Sequence, residues 1–236
     1  VQLITTNEAI RLSPQLKVFR ETDNPLGLFD VKQRLNEFLW RSSNNPNYGL
    51  FDKGIWLHTT ISNVTENKKW VIDVAFTQIE KVDIYVTLGD EVLGHTSHGK
   101  IRLKPKYRLP TLKVELPYAE TVDLFVRIES DRSSLVAPVD IQTYDHHQRI
   151  NFYDNLIWGL FYGGLLMLVI YNIVLYIGLR ENSLLTYVGF IFSVLLWQFV
   201  WGGHLHLLMP SSITMWVSAH TDLIYVIFSI SSGLFT

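Results

Sequence analysis

Two hydrophobic periods divide the chain, and the change between them falls near residue 150. From Ile55 onward apolar and polar positions alternate. Ile55, Leu57, Thr59 and Ile61 interleave with Trp56, His58, Thr60 and Ser62, then Trp70, Ile72, Val74 and Phe76 with Val71, Asp73 and Ala75. Val82, Ile84, Val86 and Leu88 interleave with Asp83, Tyr85 and Thr87 in the same way. A repeat of two places alternate side chains on opposite faces, so each run predicts a half-buried strand. Gly89-Asp90 predicts a tight hairpin into a strand over Glu91 to His95. Further strands are predicted over Leu112 to Leu116, Val122 to Ile128 and Val139 to Tyr144. Ahead of them, Leu16 to Arg20 predicts an edge strand, and Asp30 reads as the N-cap of a helix over Val31 to Trp40, with Val31, Leu35, Phe38 and Leu39 at helical spacing. SSNNPNYG, at Ser42 to Gly49, ends that helix. Short strands with no helix between them predict an antiparallel β-sandwich of jelly-roll type rather than a parallel α/β sheet.

The second pattern is continuous. LIWGLFYGGLLMLVIYNIVLYIGL, Leu156 to Leu179, carries no charged side chain, and a helix of about 20 such residues crosses the roughly 30 Å hydrocarbon core of a bilayer. Two more apolar runs, Leu184 to Trp201 and Ile213 to Phe235, follow after RENS at Arg180 to Ser183 and after Met209-Pro210. The expected organisation is a folded, extramembranous domain over 1–149 and the first three helices of a membrane bundle over 150–236. The segment DHHQRINFYDN is then a short connector between them, and Tyr144 to Asn155 the part expected to move.

Charge sharpens the division. Asn151 to Thr236 carries only Asp154, Arg180, Glu181 and Asp222 as charged residues, while the whole chain has a formal net charge of -2. Nucleic acid is excluded as a partner, because its binding needs a concentrated basic surface. The chain contains no cysteine, so disulfides, zinc-thiolate sites and thiol nucleophiles are excluded. It begins at Val1 without an export signal and stops inside an apolar run, ISSGLFT, which suggests a removed leader and a truncated C-terminus.

The order of several blocks resembles a known family. GIWLHTTISNVTENKKWVIDV (Gly54 to Val74), VDIYV (Val82 to Val86), YRLPTLKVELP (Tyr107 to Pro117) and VDLFVRIESDRSSLVAPVDI (Val122 to Ile141) are similar to the type 2 extracellular sensor of bacterial receptors with seven transmembrane helices and diverse intracellular signalling modules. The run from Gly159 to Pro210 is similar to the first two helices of that family's membrane region. The resemblance implies a periplasmic, carbohydrate-binding-like jelly roll, a seven-helix inner-membrane bundle, and a cytoplasmic output such as a diguanylate cyclase or histidine kinase on the same chain. This chain departs from the pattern by stopping after about three helices. The resemblance also sets the orientation that flanking Arg149 and Arg180 leave tied under the positive-inside rule: sandwich outside, RENS inside.

Candidate chemistry sits on the outward strand positions. Trp56, His58, Tyr85, Phe125 and Arg127 form a set of aromatic rings beside polar groups, which suits a small carbohydrate-like ligand whose C–H faces cover the rings while polar groups fix its hydroxyls. The same pattern suits a face that packs beneath the N-terminal segment or against the membrane helices. Arg102, Lys104, Lys106 and Arg108 make the one basic loop, suited to an acidic ligand, to lipid headgroups, or simply to solvent. His146-His147 and His204-x-His206 lack the further ligands of a metal shell, so no metal and no cofactor is expected. Asn172, Gln198, His220 and Asp222 are expected to pair with one another inside the bundle. Gly159-x-x-x-Gly163 with Gly164 permits close helix approach, including a homodimer. Three functions fit in descending order: a receptor fragment that binds a small ligand, a membrane-anchored scaffold that docks a partner protein, and an enzyme or transporter, for which no catalytic set or charged intramembrane path is found.

Overall fold

The computed structural model describes residues 1–4, 8–22, 24–41, 43–44, 46–99, 107–130 and 134–235. It divides into two compact units, Val1–Gln148 and Arg149–Thr236.

The first unit is built from β1 (Gln2–Leu3), β2 (Ala9–Arg11), β3 (Lys17–Arg20), α1 (Leu28–Lys32), β4 (Leu39–Trp40), β5 (Phe51–Asn63), β6 (Lys69–Val74), β7 (Lys81–Leu88), β8 (Glu91–His98), β9 (Thr111–Glu115), β10 (Thr121–Ser130) and β11 (Val139–Thr143). One sheet runs β4-β3-β5-β10-β7-β8 with β1 added alongside β5, and the other runs β2-β11-β6-β9. All pairings are antiparallel except β1 with β5. The expected two-sheet sandwich is therefore present. Gly89, with φ 56°, turns the β7–β8 hairpin as its sequence predicts.

The period of two decides what faces inward. Ile55, Leu57, Ile61, Val82, Ile84, Val86, Val122, Leu124, Val126 and Ile128 from the larger sheet meet Trp70, Ile72, Val74, Leu112, Val114, Val139 and Ile141 from the smaller one in a single buried core. A register slip of one residue would turn each of these sets to the other face, so the burial itself fixes the pairing.

The predicted helix over Val31 to Trp40 is corrected. Only Leu28–Lys32 is α-helical, followed by a 3-10 turn at Leu35–Glu37 and by β4. Asp30 is not the N-cap but the third helical residue, whose carboxylate accepts the Gly27 N–H at 3.0 Å. Leu39 and Trp40 pair with Val18 and Lys17, so edge-strand pairing wins over helical spacing there.

The second half holds α2 (Tyr144–Leu179), α3 (Asn182–Trp201), α4 (Leu205–Leu208), α5 (Ser211–Ala219) and α6 (Thr221–Phe235). The expected connector Tyr144 to Asn155 is not a loop: it forms the first turns of α2. Thr143 caps them, its Oγ1 accepting the His146 N–H at 3.4 Å, and Asp145 lies in the first turn, where negative charge is favoured. α2 and α3 are both long and apolar enough to cross a bilayer. Arg180, at φ 59°, ends α2 in the left-handed region. The third apolar run is not one helix but two, α5 and α6, broken at His220.

Within the second unit, polar groups act differently from the expected network. Asn172 donates to Leu168 O and His220 Nδ1 lies 2.8 Å from Trp216 O, each on its own helix rather than on each other. Between helices, Ser193 Oγ meets Ser231 Oγ at 2.6 Å, joining α3 to α6, and the Tyr162 hydroxyl donates to Gln198 O at 3.3 Å, joining α2 to α3. His204 is buried, its Nδ1 3.0 Å from the Tyr162 hydroxyl, among Trp158, Tyr162 and Phe199.

Candidate functional site

The three central strands bring the five expected residues together. In register, Phe125 lies opposite His58 on one side and Tyr85 on the other, while Arg127 lies opposite Trp56 and Asp83. All five point away from the main core, as the alternation requires.

That face is covered. Phe19, Leu28, Val31 and Phe38, with Leu26 at the margin, close over Trp56 and Phe125 and form a second apolar cluster. Trp56 and Phe125 are buried outright; His58 is buried too, its Nε2 2.8 Å from Asp123 Oδ1 and its ring packed against Phe38 and Phe125. Tyr85 remains half-buried, stacked on Trp56 on one side and on His95 on the other, with ring centres 4.2 Å apart in the second pair. Of the two uses that the sequence leaves open for this face, packing under the N-terminal segment is the one that Trp56, His58 and Phe125 serve in this structure.

Arg127 is also occupied. Its guanidinium grips Glu21 by two bonds, Nε to Oε1 at 2.9 Å and Nη2 to Oε2 at 2.8 Å, and reaches Glu129 Oε2 through Nη1 at 2.7 Å. Lys81 pairs with the other oxygen of Glu129. Glu21 accepts three more bonds: from Trp56 Nε1 at 2.8 Å, Leu26 N at 3.1 Å and Gly54 N at 3.2 Å. Gly54 has to be glycine for this to happen, since a Cβ there would fall 2.2 Å from Glu21 Oε2. The fork-on-carboxylate geometry of an Arg–Glu pair combines charge with direction. Here it ties the segment leading into α1 to the middle of the sheet. Glu21 is the residue that the sequence reading missed: it lies 106 positions from Arg127, and no local pattern marks it.

The remaining candidates scatter. Arg102, Lys104 and Lys106 lie outside the described residues, and Arg108 is half-buried at the near end of that loop. His146 meets Glu8 at 2.9 Å, and His147 lies 3.2 Å from both Asp73 Oδ2 and Gln142 Nε2, so the two adjacent histidines serve different partners on the sandwich. A Cβ added at Gly159, Gly163 or Gly164 would meet nothing within 4 Å among the described residues.

Comparison with known proteins agrees with this order of parts. The family described as 7TMR-DISM extracellular 2 matches residues 13–143, and that described as 7TM diverse intracellular signalling matches residues 154–236. No curated protein matches the chain. Among solved structures, a glycoside hydrolase family 43 arabinoxylan arabinofuranohydrolase from Bacillus subtilis in complex with cellotetraose is similar at 13% identity and a TM-score of 0.27, covering 42% of this chain and 21% of that one. CsCBM6-3 from Clostridium stercorarium in complex with cellobiose is similar at 17% identity and a TM-score of 0.21, covering 43% of this chain and 80% of that one. Scores this low say nothing about a ligand. The two family matches take in the strands and the apolar helices in sequence, and the chain accordingly belongs to the 7TMR-DISM family of receptor-type signalling proteins, with an extracellular type 2 domain over residues 13–143 followed by a 7TM match over residues 154–236.

Proposed function

We propose that this chain is the sensing part of a receptor in the bacterial inner membrane, whose periplasmic sandwich binds a small carbohydrate-like ligand and biases the packing of the helices that follow. An output module on the cytoplasmic side of the same chain would read that bias. The observation that carries the reading is the succession of a β-sandwich with its own core and a pair of apolar helices long enough to span, in the order of the family's extracellular and membrane parts. Ligand can shift a conformational equilibrium only by the difference in its affinity for the two states.

On the aromatic face, Tyr85 is half-buried and His95 exposed, so this stacked pair is the portion that a sugar ring meets first. Trp56, His58, Phe125 and Arg127 become available only if the segment carrying α1 lifts, which costs the Glu21–Arg127 pair and the cluster above it. The test is a melting-temperature screen of the full chain in detergent against neutral mono- and disaccharides. At one hundred times its dissociation constant a ligand adds about 2.7 kcal/mol of stability. A rise in Tm that disappears in Tyr85→Ala supports the reading; no rise for any sugar removes it.

One observation favours docking of a partner protein as the second reading. Leu39 and Trp40 are exposed on β4, which is the edge strand of the larger sheet, and Phe29 is exposed on the neighbouring helix. Pull-down of one periplasmic protein, lost in Trp40→Ala and unaffected by sugars, would be its signature.

A further inference from the structure

A concavity lies away from the aromatic face, at the end of the sandwich where β11 leads into α2. It is an open groove of about 500 Å³, lined by Ile4, Val64, Thr65, Glu66, Asn67, Trp70, Tyr118 and Thr143. That volume lies in the range of small-molecule sites.

Both walls are held firmly. On one side the turn after β5 is locked by Asn63, whose side chain is buried: its Nδ2 donates to Asn67 O at 2.9 Å and to Leu116 O at 3.0 Å, and its Oδ1 accepts from Thr65 N at 3.1 Å and Thr65 Oγ1 at 2.8 Å. Trp70 forms the floor, its indole N–H donating to Asn67 O at 2.9 Å. On the other side stands Tyr118, 60% exposed although it is one of the largest side chains on the domain. The next residue, Ala119, holds a φ of 61°, and its N–H reaches Asn63 O at 2.7 Å. A left-handed alanine costs about 1 kcal/mol or more, and such outliers gather at functional sites. The strained turn presents the Tyr118 ring to the groove and bonds it to the opposite wall.

From this geometry we infer that the groove is a second ligand site, and that it takes an amino sugar or a similar small polyol bearing an ammonium group. Among the described residues lining it, Glu66 is the one charged side chain, and it is negative. Tyr118 offers a π face to sugar C–H groups and to a cation. Glu66 selects an ammonium and repels a carboxylate. Asn67 and Thr143 supply polar atoms for hydroxyls. The inference rests on the proposed sensor role only in placing a small molecule on the same unit, since its residues and its ligand charge are its own.

The position gives binding something to act on. Thr143 lines the groove and also caps α2 through His146 N. A ligand hydroxyl bonded to Thr143 Oγ1 competes for the group that ends the strand and starts the helix, so occupancy and helix start are linked.

Isothermal titration of the full chain in detergent tests this with glucosamine in mildly acidic buffer, where its amine is protonated, and with glucose and glucuronate as neutral and acidic comparisons. Glucosamine should bind most tightly and glucuronate least. Tyr118→Ala and Glu66→Gln should each weaken glucosamine by about tenfold, the scale of a cation–π or charged hydrogen-bond contact. Binding of glucosamine that survives Tyr118→Ala, or no binding at all, overturns the groove. A neutral disaccharide that stabilises the chain through Tyr85 would still uphold the sensor role in that case, so the two failures are separable.

Discussion

Glu21→Ala is expected to lower the unfolding free energy of the sandwich by about 3 to 5 kcal/mol, the range found when one partner of a buried ion pair is removed. Both side chains are well inside, at 3% exposure for Glu21 and 11% for Arg127, so solvent screens the pair little. The loss is not only Coulombic. Trp56 Nε1, Leu26 N and Gly54 N also lose their acceptor, and each buried unsatisfied donor adds its own penalty. Glu21→Gln should cost less, because its amide oxygen keeps an acceptor in place. Denaturant unfolding followed by tryptophan fluorescence reads both variants, Trp56 under the cover being one of the seven tryptophans that contribute.

The same carboxylate sets an acid limit. Burial pushes the Glu21 carboxyl up, but bonds from Arg127, Trp56 and Leu26 and the charge of Arg127 more than reverse this and hold it below its ordinary value of 4.5. Glu129 is held low in the same sense, burial being outweighed by Lys81 and Arg127. A carboxylate whose folded pKa lies below its unfolded one lends stability that is complete above about pH 4.5 and drains as pH falls through the folded value. The wild-type sandwich should therefore lose stability below that point, and Glu21→Ala should show a flatter acid limb.

The second large effect concerns the membrane. Met167 sits near the centre of the apolar part of α2 and is exposed among the described residues. Met167→Arg should disfavour insertion by about 2.5 to 3.5 kcal/mol on the translocon scale, and the fraction of chain resisting alkaline extraction from membranes should fall steeply. Tyr153→Arg, placed before the uncharged run, should change that fraction little.

Much of the fold could be read from the chain because one rule governs it: in a two-sheet sandwich, a repeat of two is both the strand signal and the core list. Ile55 to Ile61, Val82 to Val86 and Val122 to Ile128 are cases where local pattern and tertiary burial agree. The pattern fails where pairing overrules spacing, at Leu39 and Trp40, and where one apolar run is bent into two helices at His220. The candidate site was legible as a set but not as a state. Alternation places Trp56, His58, Tyr85, Phe125 and Arg127 on one face, yet only the three-dimensional return of Glu21 and α1 shows what lies over it. The groove was invisible for a similar reason: Val64 to Asn67 and Tyr118 belong to two separated turns and Thr143 to the end of β11, with no shared period.

The central claim, an outer sandwich joined to helices that cross a membrane, is tested most directly by single-cysteine accessibility, for which a chain without native cysteine is ready. Glu91→Cys, on the exposed β7–β8 hairpin, and Glu181→Cys, between α2 and α3, would be expressed in bacteria and treated with a membrane-impermeant maleimide on intact spheroplasts. The account predicts labelling of Glu91→Cys at once and of Glu181→Cys only after the membrane is opened. Equal labelling of both before lysis, or recovery of the chain in the soluble fraction, would contradict it.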